Sequence, residues 1–401
     1  PTTRPREPVT SRFPRLIGPY AVERVVGGGG MATVLLARHR LLGRLVAVKM
    51  RRREDGADAA LLAERFRHGA ALQAELDHPH VARVFDYLES PQFQAIVMEY
   101  LPGGSIEDAL RAMAGPLPVD RAVDIGIRAA DAMAYAHERG VVHRDIKPGN
   151  VMLVDGEDTT TTRITDFGVA KAPERSPDLT LAGANVGTLW YMPPEQFNHE
   201  RPTPLVDVYA LGATLYEMLT GHIPFAAPDT AEIFRRFLDR VPPPSIQGRN
   251  PQVPPALAHV VEMALALDTA DRIPSAASLA LLLRAVAERE RMAVDDGAAR
   301  RLLHQAGDDE VESLRAVLAG GQKPGHAVLD ALDALRVRVE TGPFTRVNLT
   351  PALLERPADL ATAPLDVLTD ADPFEATRDD LFEDDDDRTM VMGPILTDDD
   401  E

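Results

Sequence analysis

The chain has 401 residues, 45% of them apolar, with one tryptophan, no cysteine and a formal net charge of −19. Without cysteine there is no disulfide framework and no thiolate metal site. No apolar stretch reaches the roughly 18–20 residues of a spanning helix, and PTTRPREPVTSRF has no signal-peptide core, so a cytoplasmic protein with no membrane partner is expected.

In chain order, residues 1–17 are rich in Pro and Arg and are expected to be a disordered arm. Short β-branched or apolar runs then predict strands at 22–26, 33–38, 45–50, 84–88 and 94–99, with a helix over 59–75 between the third and fourth. After Pro102 the texture changes. Val119, Ala122, Val123, Ile125, Ile127, Ala130, Met133 and Ala134 follow a helical period and predict a helix over 119–139. Further helices are expected at 206–219, 230–238, 255–267 and 275–290, separated by Pro/Gly-rich joints. The outline is a small strand-rich unit followed by a larger helical one.

Beyond 290 three amphipathic helices are expected near 298–306, 309–319 and 325–340, and everything after 341 reads as disordered. That tail concentrates the charge: residues 357–401 hold 16 Asp/Glu against Arg378 and Arg388, leaving only −5 for the rest of the chain. An acidic surplus so placed argues against a nucleic-acid partner.

Chemistry enters with Val26-Gly27-Gly28-Gly29-Gly30-Met31-Ala32-Thr33-Val34, between two predicted strands. Glycines there let a backbone approach phosphates and offer N–H groups to them, although four glycines in a row serve equally as a flexible turn. On the next strand, Val46-Ala47-Val48-Lys49 places a lysine among apolar residues, 15 positions after Val34. Only four of the 43 basic residues are lysine (Lys49, Lys147, Lys171, Lys323), so each asks for a task that suits a compact ammonium. Reaching phosphates beneath a glycine loop is such a task; an edge residue that keeps its charged head in water is the plainer reading.

Two further motifs decide between these readings: His143-Arg144-Asp145-Ile146-Lys147-Pro148-Gly149-Asn150 and Asp166-Phe167-Gly168. With the glycine loop and VAVK, in this order and spacing, the sequence resembles the eukaryotic-like protein kinases, in their bacterial Ser/Thr branch. The resemblance covers about 18–290 and continues through Gly187-Thr188…Met192-Pro193-Pro194-Glu195 and Asp207-Val208-Tyr209-Ala210-Leu211-Gly212. It implies an α+β, bilobal fold. A small antiparallel β-rich N-lobe (18–101) would precede a larger helical C-lobe (102–290), a helical extension (291–340) and an acidic tail (341–401).

The resemblance also implies the site. Asp145 would accept the proton of the substrate hydroxyl and Lys147 would neutralise the transferring phosphate. Asn150 and Asp166 would hold Mg²⁺, and Lys49 would reach the α- and β-phosphates of ATP. Val26 to Ala32, Val34 and Ala47 would cover the nucleotide. Met98 falls at the gatekeeper position, with Glu99 to Leu101 meeting adenine through backbone groups. Arg272 would pair with Glu195. Arg144 suggests control by a phosphorylated activation segment, with Thr180 as the autophosphorylated residue, or an ordinary loop threonine, and Thr188 positioning substrate. In the tail, Thr377 has Asp380 at +3, a spacing that resembles ligands of forkhead-associated domains once the threonine is phosphorylated; a merely solubilising acidic tail is the plainer reading.

The sequence departs from the family at three places. The third loop glycine is Ala32, and Leu189 replaces the proline usual after Gly187-Thr188. The third departure matters most. Counting back from His78-Pro79 puts Gly69 where the family places the glutamate that pairs with the strand lysine. Glu64 and Glu75 lie five residues before and six after, roughly 140° and 120° off that face at about 100° per residue. Either Lys49 is held by Asp166 or by a shifted helix presenting Glu64, or catalysis is lost and the chain is a nucleotide-binding scaffold.

Overall fold

The computed structural model describes residues 13–28, 32–53, 59–155, 162–167, 189–198, 200–227 and 230–292. The helices expected at 298–340, the tail beyond 341 and residues 1–12 of the arm lie outside them. Every described residue belongs to one compact unit, Pro1–Thr345.

Six antiparallel strands form the first sheet: β1 (Leu16–Ile17), β2 (Tyr20–Gly28), β3 (Thr33–His39), β4 (Leu45–Arg52), β5 (Val84–Glu89) and β6 (Phe93–Glu99), in spatial order β1-β2-β3-β4-β6-β5. Helix α1 (Ala59–Ala74) leads from β4 toward β5. Strand β4 explains the arrangement. It is apolar on both faces and lies between β3 and β6, and its alternation splits its side chains between two cores. Val46, Val48 and Met50 pack with Ile17, Tyr20, Leu35 and Val97, whereas Ala47 packs with Phe66 and Ala70 of α1 and with Ile96 and Met98. The arm expected over 1–17 therefore yields its last residues to the sheet: Ile17 is fully buried, pairs with Tyr20, and Phe13 packs on the same cluster.

The second layer is helical: α2 (Ile106–Met113), α3 (Val119–Glu138), the short α4 (Pro194–Phe197), α5 (Leu205–Thr220), α6 (Thr230–Leu238), α7 (Ile246–Arg249), α8 (Pro255–Ala264) and α9 (Ala276–Arg289), with a two-stranded ribbon of β7 (Val151–Leu153) and β8 (Thr162–Ile164). Helices α3, α5, α8 and α9 build the main core, and two glycines set their separation. A Cβ on Gly212 would stand 2.8 Å from Ala264 Cβ and 3.2 Å from the Ala264 backbone. A Cβ on Gly126 would stand 2.6 Å from a Leu215 methyl.

The predicted strands and helices of residues 20–290 are present, most within two residues of their expected ends. Helix α8 is the exception, ending at Ala264 rather than 267. Asp268 caps a 3₁₀ turn by accepting from Ala270 N–H at 3.0 Å, and Arg272 takes the Ala266 carbonyl at 3.0 Å. The sequence reading missed α2, although Ser105-Ile106-Glu107-Asp108 carries its signal. The Ser105 hydroxyl accepts from Asp108 N–H at 3.1 Å while the Asp108 carboxylate accepts from Ser105 N–H at 3.2 Å, a reciprocal cap. Strands β7 and β8 have three residues each, too few for a pattern to register. One stretch inside the expected N-lobe belongs to the helical core: Leu76 and Val81 pack there, and Ala82 N–H bonds the Ile164 carbonyl at 2.9 Å.

Candidate active site

The turn from α3 into β7 carries His143 to Asn150, and its shape is imposed from beneath by Asp207 in the first turn of α5. Asp207 is fully buried. Its carboxylate accepts from the backbone N–H of His143 at 2.8 Å and of Arg144 at 2.7 Å, and lies 2.8 Å from His137 Nε2. Arg144 thereby adopts φ 68°, a left-handed conformation that a non-glycine residue takes only when its surroundings insist. Burial alone would raise the Asp207 pKa; the hydrogen bond and charge of His137, followed by His143, hold it below the usual carboxylate range. His143 is itself buried, with Nε2 2.9 Å from the Thr165 carbonyl.

On this frame Asp145, Lys147 and Asn150 meet. Lys147 Nζ lies 2.9 Å from Asp145 Oδ2, and Asn150 Nδ2 donates to Asp145 Oδ2 at 3.0 Å and to the Asp145 carbonyl at 2.7 Å. The other oxygen, Asp145 Oδ1, is buried with no hydrogen-bond partner among the described residues. An unanswered buried acceptor costs about 1–3 kcal/mol, which a donor such as a substrate hydroxyl would relieve. Because both bonds from Asn150 run to pure acceptors, its amide orientation is fixed, and its carbonyl oxygen is turned the other way.

Asp166 follows β8 at φ 69°. Lys49, on β4 directly opposite Val34 of β3, reaches across to it, with Nζ 2.7 Å from Asp166 Oδ2. Burial would raise the Asp166 pKa, but the Lys49 charge and hydrogen bond, then His143 and Lys147, hold it low. Of the partners open to Lys49 on sequence grounds, Asp166 is the one present. Gly69 is buried in α1 between Phe66 and Ala70, and the helix is not shifted to bring Glu64 to the lysine.

The apolar candidates gather on the strands beside Lys49. Val34, Ala47 and Met98 share one cluster, with Met98 opposite Ala47 across the β4–β6 pair, and Leu101 is buried just beyond β6. Val26, Gly27 and Gly28 end β2, where Gly27 faces Val34 and Gly28 faces Thr33; Ala32 precedes β3. The Glu99 carboxylate is taken up by Arg83 N–H at 3.3 Å and lies 3.6 Å from Arg163, and its own N–H donates to the Arg83 carbonyl at 2.9 Å. Gly29, Gly30, Met31, Thr180 and Thr188 lie outside the described residues.

Among the described residues no three His, Asp or Glu gather as a metal cage. Asn150 and Asp166 still fit Mg²⁺, because a small hard cation takes one or two protein oxygens and completes its shell with phosphates and water. Arg272 meets Glu195 as expected, in a fork of 2.5 and 3.1 Å, with the guanidinium side chain fully buried. Gln73, on α1, escaped the sequence reading: its amide bonds the backbone of Asp166. A buried position one turn after Gly69 was legible, but its partner 93 residues away was not.

The comparisons agree with this geometry. The family model for the protein kinase domain matches residues 20–281. Serine/threonine-protein kinase PrkC of Bacillus subtilis is 34% identical over 278 residues, covering 69% of this chain and 42% of that protein. Serine/threonine-protein kinase PknA of Mycobacterium tuberculosis is 36% identical over 276 residues, covering 68% of this chain and 62% of the relative. A crystal structure of the kinase domain of Mycobacterium tuberculosis PknI, in a mutant form, aligns with TM-score 0.52 and 27% identity over 67% of this chain and 96% of that one. The chain thus spans about half the length of the curated relatives it matches. All are named kinases, and none lends support to the scaffold reading. No described helix is long and apolar enough to cross a membrane.

Proposed function

This chain belongs to the protein kinase family, and from that premise we propose that it transfers the γ-phosphate of ATP to Ser/Thr hydroxyls of proteins, including its own activation segment. The observation that carries the reading is Asp145: Lys147 and Asn150 converge on one of its carboxylate oxygens, and the other accepts from no group among the described residues. A substrate hydroxyl donating to the Asp145 carboxylate is oriented for attack and gives up its proton there as the new O–P bond forms and the bond from the γ-phosphorus to the bridging oxygen breaks, releasing ADP. Lys147, already beside Asp145, offsets charge on the transferring phosphate.

Lys49 leaves Asp166 for the α- and β-phosphates when ATP enters, while Val34, Ala47, Met98 and Leu101 exclude water around adenine. Mg²⁺ held by Asn150 and Asp166 would draw charge from the phosphate oxygens. Thr180 is the proposed autophosphorylation site and Thr188 a substrate-positioning residue. Phosphorylated Thr377 is a proposed ligand for forkhead-associated domains.

Intact-mass spectrometry of phosphatase-treated protein incubated with Mg²⁺ and ATP tests this reading, with Asp145→Asn as control. Phosphate-sized mass increments in wild type only are expected, and peptide mapping then places them at Thr180 and in the tail. Nucleotide binding without any increment would retire the kinase reading.

A further inference from the structure

With glycine at position 69, α1 has no carboxylate at the usual place to reach the catalytic centre, yet it is not uncoupled from it. One turn further along, Gln73 is 3% exposed and spans two fixed points. Its Nε2 donates to the Ala82 carbonyl at 2.8 Å, and its Oε1 accepts from Asp166 N–H at 3.2 Å. The two partners fix the amide orientation, since a flip would set oxygen against oxygen and N–H against N–H.

The first anchor is fixed by backbone bonds. Residues 80–82 are moored to β8, with Ile164 N–H on the His80 carbonyl at 2.8 Å and Ala82 N–H on the Ile164 carbonyl at 2.9 Å. Two residues beyond Ile164, Asp166 sits in its left-handed conformation at φ 69°. The Asp166 side chain is held by Lys49 and its backbone by Gln73, so both attachments come from the sheet-and-helix half.

We infer that Gln73 is a positioning residue: its amide holds the backbone of Asp166 in the conformation that serves phosphate transfer, supplying from α1 the coupling that Gly69 cannot. The inference rests on the kinase reading for its consequence and on geometry for its contact. Moving α1 outward breaks both amide bonds together and frees the Asp166 backbone to relax.

Two variants test it, both assayed per folded molecule well below their melting temperatures. Gln73→Met keeps the length of the side chain and removes both bonds; kcat falls about tenfold, the worth of one buried hydrogen bond, with the KM for ATP changed much less. Gln73→Glu adds a pH signature. The neutral acid can reproduce both bonds, with its carbonyl accepting from Asp166 and its hydroxyl donating to Ala82. The ionised form faces the Ala82 carbonyl with a second acceptor and lies near another carboxylate.

Burial raises the pKa of such an acid, so activity of Gln73→Glu relative to wild type at the same pH should rise as the pH falls, while that of Gln73→Met stays flat. Wild-type kcat in folded Gln73→Met, or a flat ratio for Gln73→Glu, overturns the inference. If wild type itself transfers no phosphate, the kinase reading fails separately, and hydrogen exchange at the Asp166 amide then decides: faster exchange in Gln73→Met supports the contact, and unchanged exchange refutes it.

Discussion

The two halves of the site are held together in different ways. On the helical side, Asp207 clamps the backbone of His143 and Arg144, and Glu195 is gripped by Arg272, which also bonds the Ala266 and Leu205 carbonyls. These charges are buried and multiply bonded, so each removal leaves a partner stranded in low dielectric. On the strand side, Asp166 is reached by one lysine whose side chain is 15% exposed and by one amide. The first half is a fixed frame; the second is an attachment that ligands can exchange. The proposed phosphoryl transfer uses both, a proton acceptor held in place and a lysine free to exchange its partner for phosphate.

The sharpest way to break this comparison is at the frame's reactive group. Asp145→Asn removes the proton acceptor but retains the shape, and phosphate transfer should fall about 10²–10⁴-fold with ATP affinity little changed, as read by single-turnover kinetics and nucleotide titration. Next is the buried pair. Arg272→Met should destabilise the protein by about 3–5 kcal/mol by leaving Glu195 unpaired, and the double variant Arg272→Met/Glu195→Leu should recover much of it in denaturant melts. An unchanged midpoint in the single variant would mean that the frame does not depend on this pair.

A smaller loss follows from packing. Gly212→Ala sets a Cβ against Ala264, including its backbone, which cannot swing away, and should cost about 1–3 kcal/mol in chemical denaturation. The smallest effect is a pH slope. Burial, then the neighbouring His80, lowers the His78 pKa to about 4. Between about 6.5 and 4 the unfolded chain therefore binds more protons at this residue than the folded one, and stability falls as the pH drops through that window. His78 Nδ1 accepts from His80 N–H at 3.2 Å, a bond that an asparagine oxygen can replace, so His78→Asn should flatten the dependence of melting temperature on pH across that window.

The candidate catalytic residues could be named from the sequence because chemistry restricts them to certain types at near-fixed spacing: Asp145, Lys147 and Asn150 lie within six consecutive positions, and Lys49 stands on a strand whose alternation can be read directly. The capping signal of α2 was also present in Ser105 and Asp108, but a helix of eight residues gives too short a period to stand out. Contacts between distant segments were open to the sequence only where the family resemblance supplied them, as for Arg272 with Glu195. Gly69 posed the question of what holds Lys49, and only the approach of β4 to the segment after β8 answered it with Asp166.

By itself, then, the sequence determined the family and the order of the longer strands and helices, and offered the candidate residues for phosphate transfer, since these follow from local periodicity and from residue chemistry. Tertiary structure alone decided that Asp207 shapes the His143–Asn150 turn from 63 residues away, that Arg272 takes the Ala266 carbonyl just beyond α8, and that Gln73 stands where α1 meets Asp166. Such choices depend on which buried polar groups come within about 3 Å of one another, and chain order carries no record of that distance.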